Sequence, residues 1–121
     1  MEVPRNEFTV IDTATAEWGG RFNPKLGLAL PRLDLHFDPD TGAEIRMIRY
    51  PKGVLNPKHT HPCGHGIFVL EGHLRTHRGT FGPGTWVWFP KGEEMEHGAT
   101  DDGDVTALFI TDGAFEIHYS E

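Results

Sequence analysis

The sequence predicts an all-β protein, one domain of two antiparallel sheets packed as a barrel or sandwich. Three observations carry this. Apolar residues fall in short runs, alternating or apolar on both faces, and no useful length repeats at a helical period. Turn signals built from Gly, Pro and Asp recur roughly every eight to twelve residues. The chain of 121 residues has the size of a single domain, 1–121. A chain of this size buries about two-thirds of its unfolded surface, so it holds a core without staples.

Residues 7–12 alternate weakly and read as a first strand. Residues 26–37 carry Leu28, Leu30, Leu33, Leu35 and Phe37, interrupted by Pro31. Asp38-Pro-Asp-Thr-Gly42 is a turn, because Asp and Pro favour its opening and Gly its close. Residues 43–50 form a strand, with Ile45 and Met47 on one face and Arg46 and Ile48 on the other. Residues 51–58 read as a loop. Residues 65–71 are apolar on both faces, as a buried strand is. Gly72 turns the chain into 73–77. Residues 80–90 hold Trp86 and Trp88 on one face and Val87 and Phe89 on the other, and such aromatics usually belong to a core. Asp101-Asp-Gly-Asp104 is a turn, 105–111 a core strand, and 115–119 closes the sheet. Residues 1–22, with Trp18 and Gly19-Gly20, fit least well into this scheme.

The formal charge of −7 argues against nonspecific nucleic-acid binding. No helix-turn-helix pattern is visible. The N-terminus lacks the basic start and apolar run of a signal peptide, and no apolar run reaches membrane-spanning length. Cys63 is the single cysteine, so no intrachain disulfide forms, as suits a reducing cytoplasm. The expected partner is a small molecule, with neither nucleic acid nor membrane.

Four of the eight histidines stand out. His59 and His61 share a face if their stretch is extended. Pro62, Cys63 and Gly64 then break the strand, and His65 opens the next apolar run and can face the same point. His97 must come from a distant strand. Imidazole suits divalent first-row metals, so His59, His61, His65 and His97 are the candidate ligands of one divalent transition metal. His36, His73, His77 and His118 read as ordinary surface or core residues. Cys63 reads as a small residue in a tight turn, pointing away from the metal. Glu93, Glu94 and Glu96 flank His97 but read as a solvated loop, Glu71 could share the face of His65 but lies at the strand end beside Gly72, and no catalytic side chain is assigned. Met47, Phe68 and Phe109 are candidates, with the tryptophans, for an apolar pocket lining.

Gly53-x5-His59-x-His61, continued to Gly72, resembles the first motif of the cupin family, with His65 where that family usually has a glutamate. Gly84-x5-Pro90-x-Gly92, continued to His97, is similar to the second. It has four residues rather than two between Gly92 and His97, and Asp101 in place of a closing Asn. The two motifs span 53–101. The run from His59 to Gly72 resembles small bacterial cupins with a four-histidine site, manganese-binding ones among them.

The resemblance implies a cupin-type jelly roll and a homodimer in which residues 1–22 pack across the partner. It favours iron or manganese, although imidazole suits zinc, nickel and copper equally. Four neutral ligands leave the ion its full charge, and in an octahedron two positions stay open. The implied activity is a dioxygenase-like oxidoreductase acting on a small bidentate carbonyl or phenolic substrate. The alternative is a sensor or isomerase that holds a sugar acid or similar ligand on the metal. Fold alone does not decide between them.

Overall fold

The computed structural model describes residues 6–120. Among the described residues eleven strands form two antiparallel sheets. The first sheet runs, in spatial order, β1 (Gly19–Asn23), β2 (Leu28–Phe37), β3 (Glu44–Tyr50), β10 (Val105–Thr111), β5 (His65–Glu71) and β8 (Trp86–Phe89). The second runs β11 (His118–Tyr119), β4 (Leu55–Thr60), β9 (Met95–Ala99), β6 (Leu74–Thr76) and β7 (Gly79–Phe81). The described residues contain no helix, and none is long and apolar enough to cross a membrane. The fold is the all-β cupin jelly roll that the two motifs imply.

The side chains that face inward follow from the period of two. On β3 they are Arg46, Ile48 and Tyr50. On β10, which pairs with β3 so that Phe109 meets Arg46 and Val105 meets Tyr50, they are Val105, Ala107 and Phe109. Ile67, Val69, Leu74, Phe89, Met95 and Ala99 complete an apolar core with all of these except Arg46. Gly72 makes the turn after β5 at φ 77°, where a Cβ would lie 2.0 Å from the Asp104 carbonyl oxygen. Both the left-handed backbone and the close approach demand glycine there.

Four readings of the sequence change. Residues 7–12 form no strand. The first strand is Gly19–Asn23, an edge strand paired with β2 and mostly exposed, which gives no apolar pattern to read. The loop expected at 51–58 is in its second half strand β4, disguised by Pro57. Trp86 and Trp88 do not enter the core. They stack on each other on the outer face, 50% and 45% exposed, while Phe89 is buried. They cover Gly66 and Gly64, where an added Cβ would collide with the indole rings. Residues 1–5, part of the segment expected at a dimer interface, and residue 121 lie outside the described residues. Of that segment's described part, Phe8 and Val10 are 96% and 80% exposed.

Candidate metal centre

An irregularity in β4 assembles the site. Asn56 pairs with His97 and His59 with Met95, so Pro57 and Lys58 stand opposite the single Glu96. This β-bulge inserts one residue and lets Asn56 and His59, three apart, both face inward. Proline lacks the N–H that a ladder needs, and a bulge tolerates it. His61, two residues on, keeps the same face. His65 enters from the start of β5 in the opposite sheet, and His97 from the middle of β9.

His59, His61 and His97 each bring a ring nitrogen within 4.8 Å of the other two. The ring centroids of His59 lie 4.7 Å from His61 and 5.0 Å from His97. His65 stands beside them, its ring 4.8 Å from His61 and 5.6 Å from His97, stacked between Phe89 and Phe109 at 4.7 Å from each. Its Nε2 lies 2.9 Å from the Met95 sulfur, so the rotamer in this structure keeps it outside the three-residue group.

Two backbone contacts orient the rings. Nδ1 of His59 lies 2.6 Å from the Pro57 carbonyl oxygen, and Nδ1 of His61 2.6 Å from that of Glu116. As donors, these Nδ1–H groups fix the tautomer and leave each Nε2 a lone pair. Nε2 of His59 and His61, Nδ1 of His65 and both ring nitrogens of His97 are buried with no partner. Unpartnered buried polar atoms are costly, and three histidines that each bring a ring nitrogen within 4.8 Å of the others offer a cation one lone pair apiece. The residues fit a divalent metal ion.

The electrostatics agree. Burial holds His61 down to about 4, and burial with the neighbouring histidines holds His65 down to about 2. His97 is held well below its ordinary value for the same reasons. Burial also lowers His59, against the opposing pull of its bond to Pro57. All four stay neutral at physiological pH, the form that binds metal.

The cluster opens on a cavity of about 810 Å³, within the range of small-molecule sites. His61 and His97 are among its lining residues. Its walls include Leu30, Ile48, Tyr50, Phe109 and Phe115. Tyr50 meets the His97 ring edge-on at 5.6 Å. Burial raises its hydroxyl above the ordinary value, a side-chain hydrogen bond with Asn56 opposing, so it is protonated. Asn56 Oδ1 accepts from the Tyr119 hydroxyl at 2.7 Å, and Asn23 Nδ2 donates to that hydroxyl at 2.8 Å.

Arg46 is the largest surprise of the wall. It is buried, paired with Glu44, and its guanidinium lies over Phe109 at 4.3 Å and Phe115 at 4.6 Å. Burial, with Arg32 and Arg21 nearby, lowers it to about 9, so it still carries its charge at neutral pH. Its alternation with Ile48 and Tyr50 along β3 is the sequence signal that marks it as inward.

The other candidates sort cleanly. Phe109 lines the cavity, while Met47 and Phe68 are not among its lining residues. Glu93 pairs with His77 and Arg78, Glu94 accepts from Ser120, and Glu71 is exposed. Cys63 is buried outside the histidine group, and burial with the Asp112 carboxylate pushes its thiol up, away from the reactive thiolate.

The profile of the ChrR Cupin-like domain matches residues 6–116. The chain belongs to this cupin family. Among curated proteins none matches it. A putative dioxygenase from Nostoc punctiforme superposes with a TM-score of 0.80 at 17% identity, over 92% of this chain and 41% of that one. The polyketide cyclase RemF from Streptomyces resistomycificus gives 0.71 at 16% identity, over 95% and 87%. The structure of Rhodobacter sphaeroides SigE in complex with the anti-sigma ChrR gives 0.64 at 25% identity, over 81% and 50%.

Proposed function

We propose that this cupin is a metal-dependent enzyme, a dioxygenase-like oxidoreductase acting on a small bidentate carbonyl or phenolic compound. One observation carries the reading: the ring nitrogens of His59, His61 and His97 converge, neutral and unpartnered, and two of these histidines line a cavity of small-molecule size. His59, His61 and His97 would hold the ion, with His65 as fourth ligand once its ring turns from Met95. Iron or manganese is the favoured metal. Such an ion supplies Lewis acidity and redox chemistry at the substrate carbonyl.

The protein's own part is binding, orientation and exclusion of water. The Pro57 and Glu116 carbonyls hold the two ligand rings in one tautomer. Phe109 and Phe115 present apolar surface to the substrate body. Tyr50, neutral and buried against His97, offers a protonated hydroxyl beside the histidine group. Dioxygen uptake with a panel of diketones and catechols tests the activity. His61→Ala is expected to abolish both metal retention and uptake, and turnover in a demonstrably metal-free variant contradicts the reading.

A second reading has its own support. The likeness to the anti-sigma ChrR, seen in complex with SigE, favours a ligand-binding or sensing domain with the metal as anchor. A thermal shift on adding substrate without any turnover selects it. We also propose a cytoplasmic homodimer in which the segment carrying exposed Phe8 and Val10 packs on a second copy. A monomer in analytical ultracentrifugation contradicts that assembly.

A further inference from the structure

The cavity has a charge that the chain as a whole does not. The protein carries a formal −7, yet Arg21, Lys25, Arg32 and Arg46 line this one cavity, with Glu116 the single lining carboxylate. Asp34 and Glu44 stand behind, each already paired to one of the arginines. The arginines are graded in depth. Arg21 is exposed at the rim, Arg32 is half-buried, and Arg46 is buried at the inner end.

Arg46 is the deciding group. A guanidinium has five N–H donors in a planar fork. Among the described residues Glu44 is the one carboxylate in ion-pair contact with it, Asp34 adds a favourable charge from beyond contact, and no further acceptor hydrogen-bonds to its remaining donors. Those nitrogens are not sealed in the core either, since Arg46 lines the cavity. Phe109 and Phe115 pack on it, which fixes the fork and strips it of water. The same rings touch the histidines: Phe109 stacks on His65 at 4.7 Å, and Phe115 lies 4.8 Å from His61. The buried cation thus stands one aromatic ring away from the metal ligands.

We propose that the cavity takes an organic carboxylate. Its anionic end is held by Arg46, with Arg32 and Arg21 drawing it in from the rim. Its hydrocarbon body lies against Leu30, Ile48 and Phe115, and its other end reaches the histidine cluster. Planar bidentate recognition is what an arginine fork offers a carboxylate. The apolar walls favour such an ion over a strongly hydrated inorganic one. The proposal rests on the metal-enzyme reading only for what happens at the far end, since the arginines bind with or without the ion.

The test is calorimetric titration with matched pairs: benzoate and benzamide, phenylacetate and phenylacetamide, 4-phenylbutyrate and 4-phenylbutanamide, with inorganic phosphate as competitor. It is run on metal-loaded protein and on protein shown to be metal-free. At least one carboxylate is expected to bind about tenfold or more tightly than its amide in both forms, and to weaken with salt. Arg21→Gln, at the exposed rim, is expected to weaken the carboxylate about threefold and leave the amide unchanged. Arg46→Gln, checked for folding by circular dichroism, is expected to remove the preference.

Equal binding of every acid and its amide overturns the proposal. So does a preference that disappears with the metal and ignores both arginine variants, because the ion alone then holds the carboxylate. Phosphate binding more tightly than any carboxylate overturns it in favour of a phosphorylated ligand. Failure of the metal-enzyme reading leaves the metal-free titration untouched, so the two are separable.

Discussion

The interior between the two sheets has two regions of opposite character. In one, Ile67, Val69, Leu74, Ala99 and Val105 meet with no polar atom to satisfy. In the other, Arg46, Asn56, Tyr50 and four histidines are buried too, and five imidazole nitrogens find no partner. Burying an apolar side chain contributes about 1.5–3 kcal/mol, whereas an unsatisfied buried donor or acceptor costs about 1–3. The apolar region therefore carries the fold, and the histidine region is the one that an ion would make favourable. Both lie on the same strands: β5 carries His65 and Val69, and β9 carries His97 and Ala99.

The contrast can be broken from either side. The largest effect is at the ligands. His61→Ala is expected to lower metal affinity at least about a thousandfold, roughly 4 kcal/mol, while the metal-free protein stays folded. Competitive chelator titration reads the first, and circular dichroism the second. In the apolar region the outcome inverts. Leu74→Ala leaves metal stoichiometry unchanged but costs about 2–5 kcal/mol of stability in urea, because the cavity it leaves cannot collapse.

Acid sharpens the comparison further. The histidines are held neutral when folded and protonate near the ordinary value of about 6.5 when unfolded. Below that pH the unfolded chain binds more protons, so stability falls as pH drops. For His61 the loss continues until its folded value of about 4 is reached. Each such group removes up to about 1.4 kcal/mol per pH unit in that window. Urea titrations of metal-free protein at pH 7.5 and 5 measure it, and equal midpoints contradict it. Smallest is Trp88→Ala. Half-exposed on the outer face, it is expected to cost about 1 kcal/mol and to leave metal binding alone.

Much of this was legible in the sequence, for stated reasons. The runs at 65–71 and 105–111 are buried on both faces or nearly so, and their apolar content shows it. The histidine spacing marks the site because a period of two holds for His59 and His61. What hid was whatever departs from that period or from burial. The bulge at Pro57 and Lys58 breaks the alternation and made half of β4 read as loop. β1 is an exposed edge strand with no apolar face. Trp86 and Trp88 look like core by type, but the strand's parity puts Phe89 inside instead. Arg46 sits at an inward position where charge is rare, and its partner Glu44 lies two residues away on the same strand.

The measurement that tests the metal site most directly is elemental mass spectrometry on untagged protein, beside His97→Ala. The expected result is about one divalent transition ion per chain, iron or manganese, lost in the variant. No metal in the wild type, even after anaerobic reconstitution, would show that these histidines are not a working site.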